Sequence, residues 1–493
     1  MPQNSITGKA ARILFRILNN LTNKMPGQIL IIGGGISGTL TAIGLLRSSF
    51  SVPVHVVLLE RNPLIARGPA YSTTRPEHLL NVPAVRMGLF PEDPAGFADY
   101  LRSRSIDFSD NDFMPRSLFG DYASHTLEAE MQALKNSRAK NISFEIISAE
   151  AESASRQPDG STEVSLSNGQ TLLADYIILA LGNLPAPGPA VTGTKTPAGF
   201  INNPWLPNAI SSVNPGHEVL ILGTGLSMAD MALSLLAQGH TGKITAVSSR
   251  GLMPEQHKPA KACPSFYHEI AGIQSARAIM GVLRKHLAIA DSQGSDWRAV
   301  LDSLRPHTQQ IWLSLPVAEK QLLLKYIRHV WSVVRHRMPP QVAAEINAMR
   351  ESGQLQIEVG YLRSISATEG GKTAVLFSRA SGEFTLVAHT VINCTGPESN
   401  YNKAQSPLIR SLLSEGIVRT DALNMGLDAR PDGSLYNAEG QVSERCFTLG
   451  QPMRGILWEC TAVPEIRVQA KALAALLSRL INKSLLLPGS AEA

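Results

Sequence analysis

Two short, uninterrupted apolar runs, each ending in a glycine-rich turn, recur along the chain in the same order. Ile29-Leu30-Ile31-Ile32 leads into Gly33-Gly34-Gly35-Ile36-Ser37-Gly38, then an apolar helical stretch, then Val56-Val57-Leu58-Leu59 ending on Glu60. Val219-Leu220-Ile221-Leu222 leads into Gly223-Thr224-Gly225-Leu226-Ser227-Met228, a second apolar helical stretch, and Ile244-Thr245-Ala246-Val247, followed by Ser248-Ser249-Arg250. Continuous apolar runs of this length suit strands buried on both faces, the condition of a parallel sheet covered by helices. Each segment therefore predicts a strand, a tight turn, a helix and a second strand.

The glycine spacing gives these units a chemistry. In a dinucleotide-binding turn the first glycine permits the tight bend, and the second lets the backbone approach a pyrophosphate. The third lets the helix pack closely on the strand. The anion then sits at the helix N-terminus, where unpaired N–H groups and the helix dipole favour negative charge. Gly33, Gly35 and Gly38 meet the pattern in full, with Ser37 beside them. Gly223 and Gly225 meet it with Leu226 and Ser227, but Met228 stands where the third glycine is expected. Met228 bears on helix packing rather than on phosphate approach.

The residue that reads the ribose differs between the copies. Glu60 lies 22 residues after Gly38, and Arg250 lies 22 residues after Met228. A carboxylate there hydrogen-bonds a free ribose diol, whereas an arginine accommodates a 2′-phosphate. The first unit is thus expected to hold FAD, with Arg61 near its adenine or phosphate. The second is expected to hold NADPH, with Ser248 and Ser249 as hydroxyl donors; NADH fits less well.

The repeat extends beyond the turns. Ser143 to Ser148 and Glu163 to Leu166 flank Asp159-Gly160, and Tyr176 to Leu181 then ends on Gly182. Leu355 to Val359 and Ala374 to Ser378 flank Gly370-Gly371, and Thr390 to Thr395 ends on Gly396. Asp-Gly and Gly-Gly between alternating runs signal hairpins. The fold class expected is α/β, with two Rossmann-like dinucleotide-binding domains, β-meander insertions and an inserted helical subdomain. The FAD domain spans 28–195 and resumes at 396–485. The NAD(P)H domain spans 196–395, and its segment 273–350 switches to helical periodicity. The Pro- and Gly-rich stretch from Pro185 to Gly199 reads as the linker.

Composition narrows the classes. Apolar content of 44% with 17% charge describes an ordinary globular chain, and no run is long and apolar enough to span a bilayer. The net charge of +5 owes part to residues 1–27, which carry Lys9, Arg12, Arg16 and Lys24 and no acid. This segment reads as a variable extension or a misassigned start, the alternative being an amphipathic basic helix from Ala10 to Leu21 that serves as a membrane-surface anchor or a targeting segment. Elsewhere basic residues are dispersed with few aromatics, which argues against nucleic acid as a partner. Cys263, Cys394, Cys446 and Cys460 form no C-x-x-C or C-x-x-x-x-C pair. That spacing argues against a redox dithiol and against a metal site, and fits a reducing cytoplasm.

The runs Arg67-Gly68-Pro69-Ala70-Tyr71-Ser72 and His78-Leu79-Leu80-Asn81-Val82-Pro83-Ala84 add a family resemblance. So do Ser249-Arg250-Gly251-Leu252 with Pro254, Arg335-His336-Arg337-Met338, and Trp458-Glu459 with Ala462-Val463-Pro464-Glu465-Ile466-Arg467. The chain resembles the two-dinucleotide flavoproteins, the class of flavin monooxygenases and glutathione-reductase-like enzymes. Within it the chain is most similar to the bacterial FAD/NAD(P)-binding proteins of the YdhS type. The resemblance implies that Cys446-Phe447-Thr448-Leu449-Gly450 passes under the flavin ring and that a helix starting near Pro464 points at it. Trp458 and Glu459 then become candidates for lining the flavin pocket and for catalysis, as does His257 for proton transfer, with Lys258 and His268 nearby. Asn81, polar within an apolar run, is expected to contact the flavin or an internal backbone group. Arg335, His336 and Arg337 are expected to clamp NADPH phosphates or an acidic substrate.

These expectations favour an NADPH-dependent flavin monooxygenase acting on nitrogen or sulfur of a small soluble substrate, with oxygen as co-substrate. The F-x-G-x-x-x-H fingerprint of flavin monooxygenases is absent, and Phe119-Gly120 with His125 only echoes it. An oxidoreductase passing electrons to a quinone, metal or protein, and a non-catalytic FAD-binding sensor or scaffold, therefore stay open.

Overall fold

The computed structural model describes residues 27–137, 141–188, 190–192 and 196–483. The basic N-terminal stretch, with its expected surface helix, lies outside them, as does part of the expected linker. No described helix is long and apolar enough to cross a membrane.

In chain order the strands are β1 (Gln28–Ile32), β2 (Val54–Glu60), β3 (Ile142–Ser148), β4 (Ala151–Arg156), β5 (Thr162–Leu166), β6 (Thr171–Ala174) and β7 (Tyr176–Leu179). They continue with β8 (Phe200–Ile201), β9 (Val219–Leu222), β10 (Ile244–Ser248), β11 (Leu355–Val359), β12 (Tyr361–Ala367), β13 (Thr373–Arg379) and β14 (Gly382–Ala388). The last are β15 (Thr390–Asn393), β16 (Ser434–Tyr436) and β17 (Val442–Thr448). One sheet has the order β16-β17-β7-β1-β2-β3, parallel except for the β16 edge. The other has the order β11-β10-β9-β15-β8 and is parallel throughout. Two antiparallel meanders, β4-β5-β6 and β12-β13-β14, complete the strands. This is the duplicated α/β plan that the apolar runs predict.

Alternating side chains show why four apolar residues in a row are needed. Ile29 and Ile31 face the helices Ile36–Leu46, Arg116–Asn136 and Val463–Lys483, while Leu30 and Ile32 face the first meander. Val219 and Ile221 face the helices Leu226–Ala237 and Pro340–Glu351, while Leu220 and Leu222 face the second meander. Each such side chain is buried, and each contributes about 1.5–3 kcal/mol of hydrophobic stabilisation.

Three local expectations are corrected. Ser143 to Ser148 and Leu355 to Val359 are not hairpin arms. They pair in parallel with β2 and β10 as sheet edges, and the hairpins turn from β4 to β5 and from β12 to β13. Alternation along an edge strand looks the same in sequence whichever partner it finds. The helix Pro340–Glu351, expected within the insert, instead buries Val342, Ile346 and Met349 in the core of the second sheet. The insert's own core runs from Phe266 to Leu315.

Candidate nucleotide and catalytic site

The first glycine turn is built around backbone that tolerates no side chain. Gly33 has φ +108°, and a Cβ on it would fall 2.3 Å from the carbonyl oxygen of Ala180 at the end of β7. Gly38 approaches Gly33 so closely that a Cβ would fall 1.9 Å from its oxygen. Gly35 caps the helix Ile36–Leu46 with no side-chain hydrogen bond, so the first-turn N–H groups have no protein side-chain acceptor at the cap. Gly68 faces Gly35, with only 3.5 Å between its Cα and a Cβ built on Gly35. Two side-chain-free backbones thus flank a helix N-terminus, a cradle that fits a pyrophosphate.

Glu60 is buried at the end of β2. Its Oε2 accepts from Gly34 N–H at 2.8 Å and its Oε1 from Asn62 N–H at 2.9 Å. These bonds fix the carboxylate at the turn with lone pairs left for a diol. Arg61 turns away to solvent and pairs with Glu150 at 2.8 Å. Its expected contact with the adenine or a phosphate has no support in this geometry.

The second turn repeats the first. Gly223 has φ +108°, and a Cβ there would fall 2.4 Å from the carbonyl oxygen of Cys394. Gly225 caps the helix Leu226–Ala237, again without a side-chain bond. Met228, in place of the third glycine, is wholly buried in the core beneath. Ser248 is not a free donor: its Oγ lies 2.8 Å from Thr224 Oγ1 and accepts from Gly251 N–H. Arg250 is exposed at the strand end with Ser249 beside it. Its positive charge reaches His329 of the insert, where burial foremost, then Arg328 and Arg250, lower the imidazole pKa.

The far end of the chain returns to the first turn. Gly450, φ +73°, lies against Ser37, and a Cβ on it would fall 2.9 Å from Ser37 Oγ. The helix Val463–Lys483 packs on Ile36–Leu46, where a Cβ on Gly44 would fall 2.8 Å from that of Ala474. Between Gly450 and this helix, Trp458 has φ +61° and ψ −71°, and Glu459 N–H donates to Leu457 O at 2.7 Å. This is a γ-turn of the strained hand, a conformation that costs about 1–3 kcal/mol and clusters at functional sites.

The insert holds this turn in place. Trp312 stacks on Trp458 with ring centres 4.8 Å apart and donates from Nε1 to Gly455 O at 3.0 Å. Trp331 donates to Glu459 Oε1 at 2.8 Å, and Arg335 Nε lies 3.2 Å from Glu459 Oε2. Arg335 and Arg305 both reach Glu465 at 3.6 Å. A small cavity of about 10 Å³ lies beside them, lined by Arg305, Trp331 and Arg337 among others.

Two expectations change here. Arg335 and Arg337 are not free to clamp an anion. Arg335 is ion-paired to Glu459 and Glu465, and Arg337 makes a two-pronged pair with Asp302 at 2.9 and 3.0 Å. Burial pushes the His336 pKa down, so that ring is neutral rather than cationic. His257 is also a poor proton-transfer group for neutral pH. Burial lowers its pKa to about 4, and its Nε2 lies 3.0 Å from the main-chain oxygen of Asn81, so that nitrogen carries the proton. Asn81 thus meets the second unit through its backbone.

The contact between the two units escaped the sequence reading. Arg116 makes a two-pronged pair with Asp230, NH1 to Oδ2 at 2.9 Å and NH2 to Oδ1 at 3.1 Å. Beside it, His78 Nε2 donates to Ser234 Oγ at 2.8 Å, and Ser234 donates to Glu77 Oε1 at 3.2 Å. The signal was present in Asp230, a lone acid inside the apolar helix Leu226–Ala237.

Residues 30–184 match the family described as FAD-NAD(P)-binding. No curated protein is significantly similar to the chain in sequence. Among solved structures, the chain is similar to the ornithine N-hydroxylase of Kutzneria sp. 744, with a TM-score of 0.61, 14% identity, and 92% of this chain and 99% of that one covered. It is similar to the L-lysine 6-monooxygenase of Pseudomonas syringae, with a TM-score of 0.62, 16% identity and the same coverage. A bacillithiol disulfide reductase of Staphylococcus aureus is also similar, with a TM-score of 0.52, 12% identity and the same coverage. At such identities the likeness is one of fold, and the fold is that of the two-dinucleotide-binding flavoproteins.

Proposed function

We propose that the chain is an FAD-dependent, NADPH-using monooxygenase that oxidises nitrogen, or sulfur, of a small substrate. FAD is assigned to the unit formed by 28–195 and 396–485, and NADPH to 196–395. The observation that carries the reading is a carboxylate, Glu60, at the end of β2 in one unit and an arginine, Arg250, two residues past Ser248, the register counterpart of Glu60, in the other. The similarity to N-hydroxylating enzymes over 92% of the chain favours nitrogen chemistry. The four cysteines are all free and three are buried, which gives a dithiol route nothing to work with. Their free state also fits a reducing cytoplasm. The runs at Arg67 and His78 support a place among the YdhS-type proteins.

The overall reaction takes NADPH, a proton, oxygen and an amine to NADP⁺, water and the N-hydroxylated amine. FAD, when bound, supplies the redox chemistry that passes the hydride equivalent to oxygen. The protein's residues bind and orient. The Gly33–Gly38 turn and Glu60 hold one nucleotide, and the Gly223–Ser227 turn with Ser249 and Arg250 holds the other. The Trp458 turn and the insert wall the reaction space from water. Glu459 positions Trp331 and Arg335 across that wall.

The test is incorporation of isotopically labelled oxygen gas into an amine product, coupled to NADPH consumption. Label in the product supports the reading. NADPH consumption that reduces a quinone or protein and leaves every amine unlabelled assigns the chain to electron transfer. The absence of any NADPH consumption would point to a sensor or scaffold.

A further inference from the structure

The outer side of the helical insert carries an apolar and basic face that no described residue covers. Five of the fourteen large apolar side chains exposed among the described residues fall close together. They are Leu313, Val317, Leu322, Tyr326 and Val330, between 41% and 56% exposed. The helices Val317–Tyr326 and Arg328–Arg335 are joined through Ile327, which keeps helical backbone angles. Its N–H donates to Leu323 O, and the N–H of Trp331 donates to Ile327 O, both at 2.8 Å. Spacing of four along this nearly continuous helix sets Leu322, Tyr326 and Val330 one above another on one side. The other side is spent on the protein: Trp331 donates to Glu459, and Leu323 packs on the insert's core.

Charge singles out the same face. Phe266 to Arg337 holds ten lysines and arginines against five aspartates and glutamates, an excess equal to that of the whole chain. Four of the five acids are engaged: Glu269 with Lys285 and His286, Asp296 with Arg298, Asp302 with Arg337, and Glu319 with the N–H of Ala276. From 313 to 332 Glu319 is the only acid, whereas Lys325 and Arg328 are exposed. Neither cation forms an ion pair among the described residues, and Lys325 Nζ lies 5.1 Å from the centre of the Tyr326 ring. Exposed apolar side chains flanked by cations match the interface of an anionic bilayer. There the apolar groups enter the headgroup region, and each cation gains from the negative surface potential. A two-fold contact with a second copy would instead set Lys325 and Arg328 against their own like charges. We propose that this face docks the protein on an anionic lipid surface. No described helix is long and apolar enough to cross a membrane, so the contact is peripheral. The docked face and the Trp458–Glu459 turn are then served by two sides of one helix. Docking of this kind is independent of the reaction catalysed.

The experiment sediments the full chain with vesicles of phosphatidylcholine alone, and of phosphatidylcholine and phosphatidylglycerol in equal parts. The expected result is binding to the mixed vesicles, little to the neutral ones, and release as salt is raised. Lys325→Gln and Arg328→Gln should each weaken binding by about fivefold, and together by about 30-fold. Tyr326→Ser should weaken it by about tenfold through lost apolar insertion. All three positions are exposed, so thermal melting should stay unchanged; a variant that melts early yields to the other two.

The inference is overturned if the full chain ignores the mixed vesicles, or binds the neutral ones equally well. Binding that all the variants retain overturns it too, by assigning the contact to another surface such as the basic residues 1–27. A dimer that forms in place of vesicle binding, and is lost in Tyr326→Ser, gives the face to a second copy. Binding of polyglutamate but not of vesicles, lost in the two charge variants, gives it to an acidic protein instead.

Discussion

His257 donates from Nε2 to the main-chain oxygen of Asn81 across 3.0 Å, fastening a loop of the second unit to a loop of the first. Burial holds the pKa of this imidazole down at about 4, below its ordinary value near 6.5. Between those values the unfolded chain binds more protons than the folded one, so stability rises with pH there. The contribution of neutral His257 is present in full above pH 6.5 and is lost as pH falls toward 4. His257→Gln, which keeps a donor without a titration, should remove this part of the acid sensitivity. Urea midpoints of both proteins from pH 7 to pH 4 check it. Parallel curves would show that His257 does not carry the effect.

Arg116 and Asp230 should matter for stability more than any exposed pair. Asp230→Ala leaves a largely buried guanidinium uncompensated, and removing one partner of such a pair destabilises by about 3–5 kcal/mol. Arg102→Ala, which breaks exposed pairs to Asp99 and Asp110, should change stability by about 1 kcal/mol or less. Denaturant unfolding of the two variants compares them directly. Equal losses would contradict a load carried between the units by Arg116 and Asp230.

Gly35→Val separates folding from binding. A Cβ on Gly35 meets only the backbone of Gly68, Cα at 3.5 Å and N at 3.8 Å, so the chain should fold. The branched side chain would occupy the space beside the helix N-terminus and should abolish FAD retention. Flavin content and thermal melting of the purified variant decide it. A folded, fully yellow variant would show that the first turn is not the pyrophosphate site.

Arg250→Ala should weaken NADPH by about 10- to 100-fold, the worth of one charge-assisted bond to a phosphate, and leave NADH nearly unchanged. Half-saturation of flavin reduction measures both. Equal losses would remove the 2′-phosphate from Arg250.

Much of this was legible from the chain because it depends on local pattern. Four apolar residues in a row require cover on both faces, and Gly33 and Gly223 require a backbone angle that side chains resist. Met228 shows the limit of the motif: the second helix tolerates a side chain where the first, at Gly38, does not. Less legible was whatever depends on a distant partner. Arg335 and Arg337 looked like anion clamps because their partners Glu459, Glu465 and Asp302 lie far off in sequence. His257 looked like an acid–base residue because nothing local reveals its burial.

The central claim is that one unit holds FAD and the other delivers hydride from NADPH to it. The most direct measurement is the visible spectrum of FAD-loaded protein mixed with NADPH, and separately with NADH, in the absence of oxygen. The account predicts rapid loss of the oxidised-flavin absorbance with NADPH at low concentration, and the same change with NADH only at much higher concentration. An unchanged spectrum with both nucleotides would contradict it.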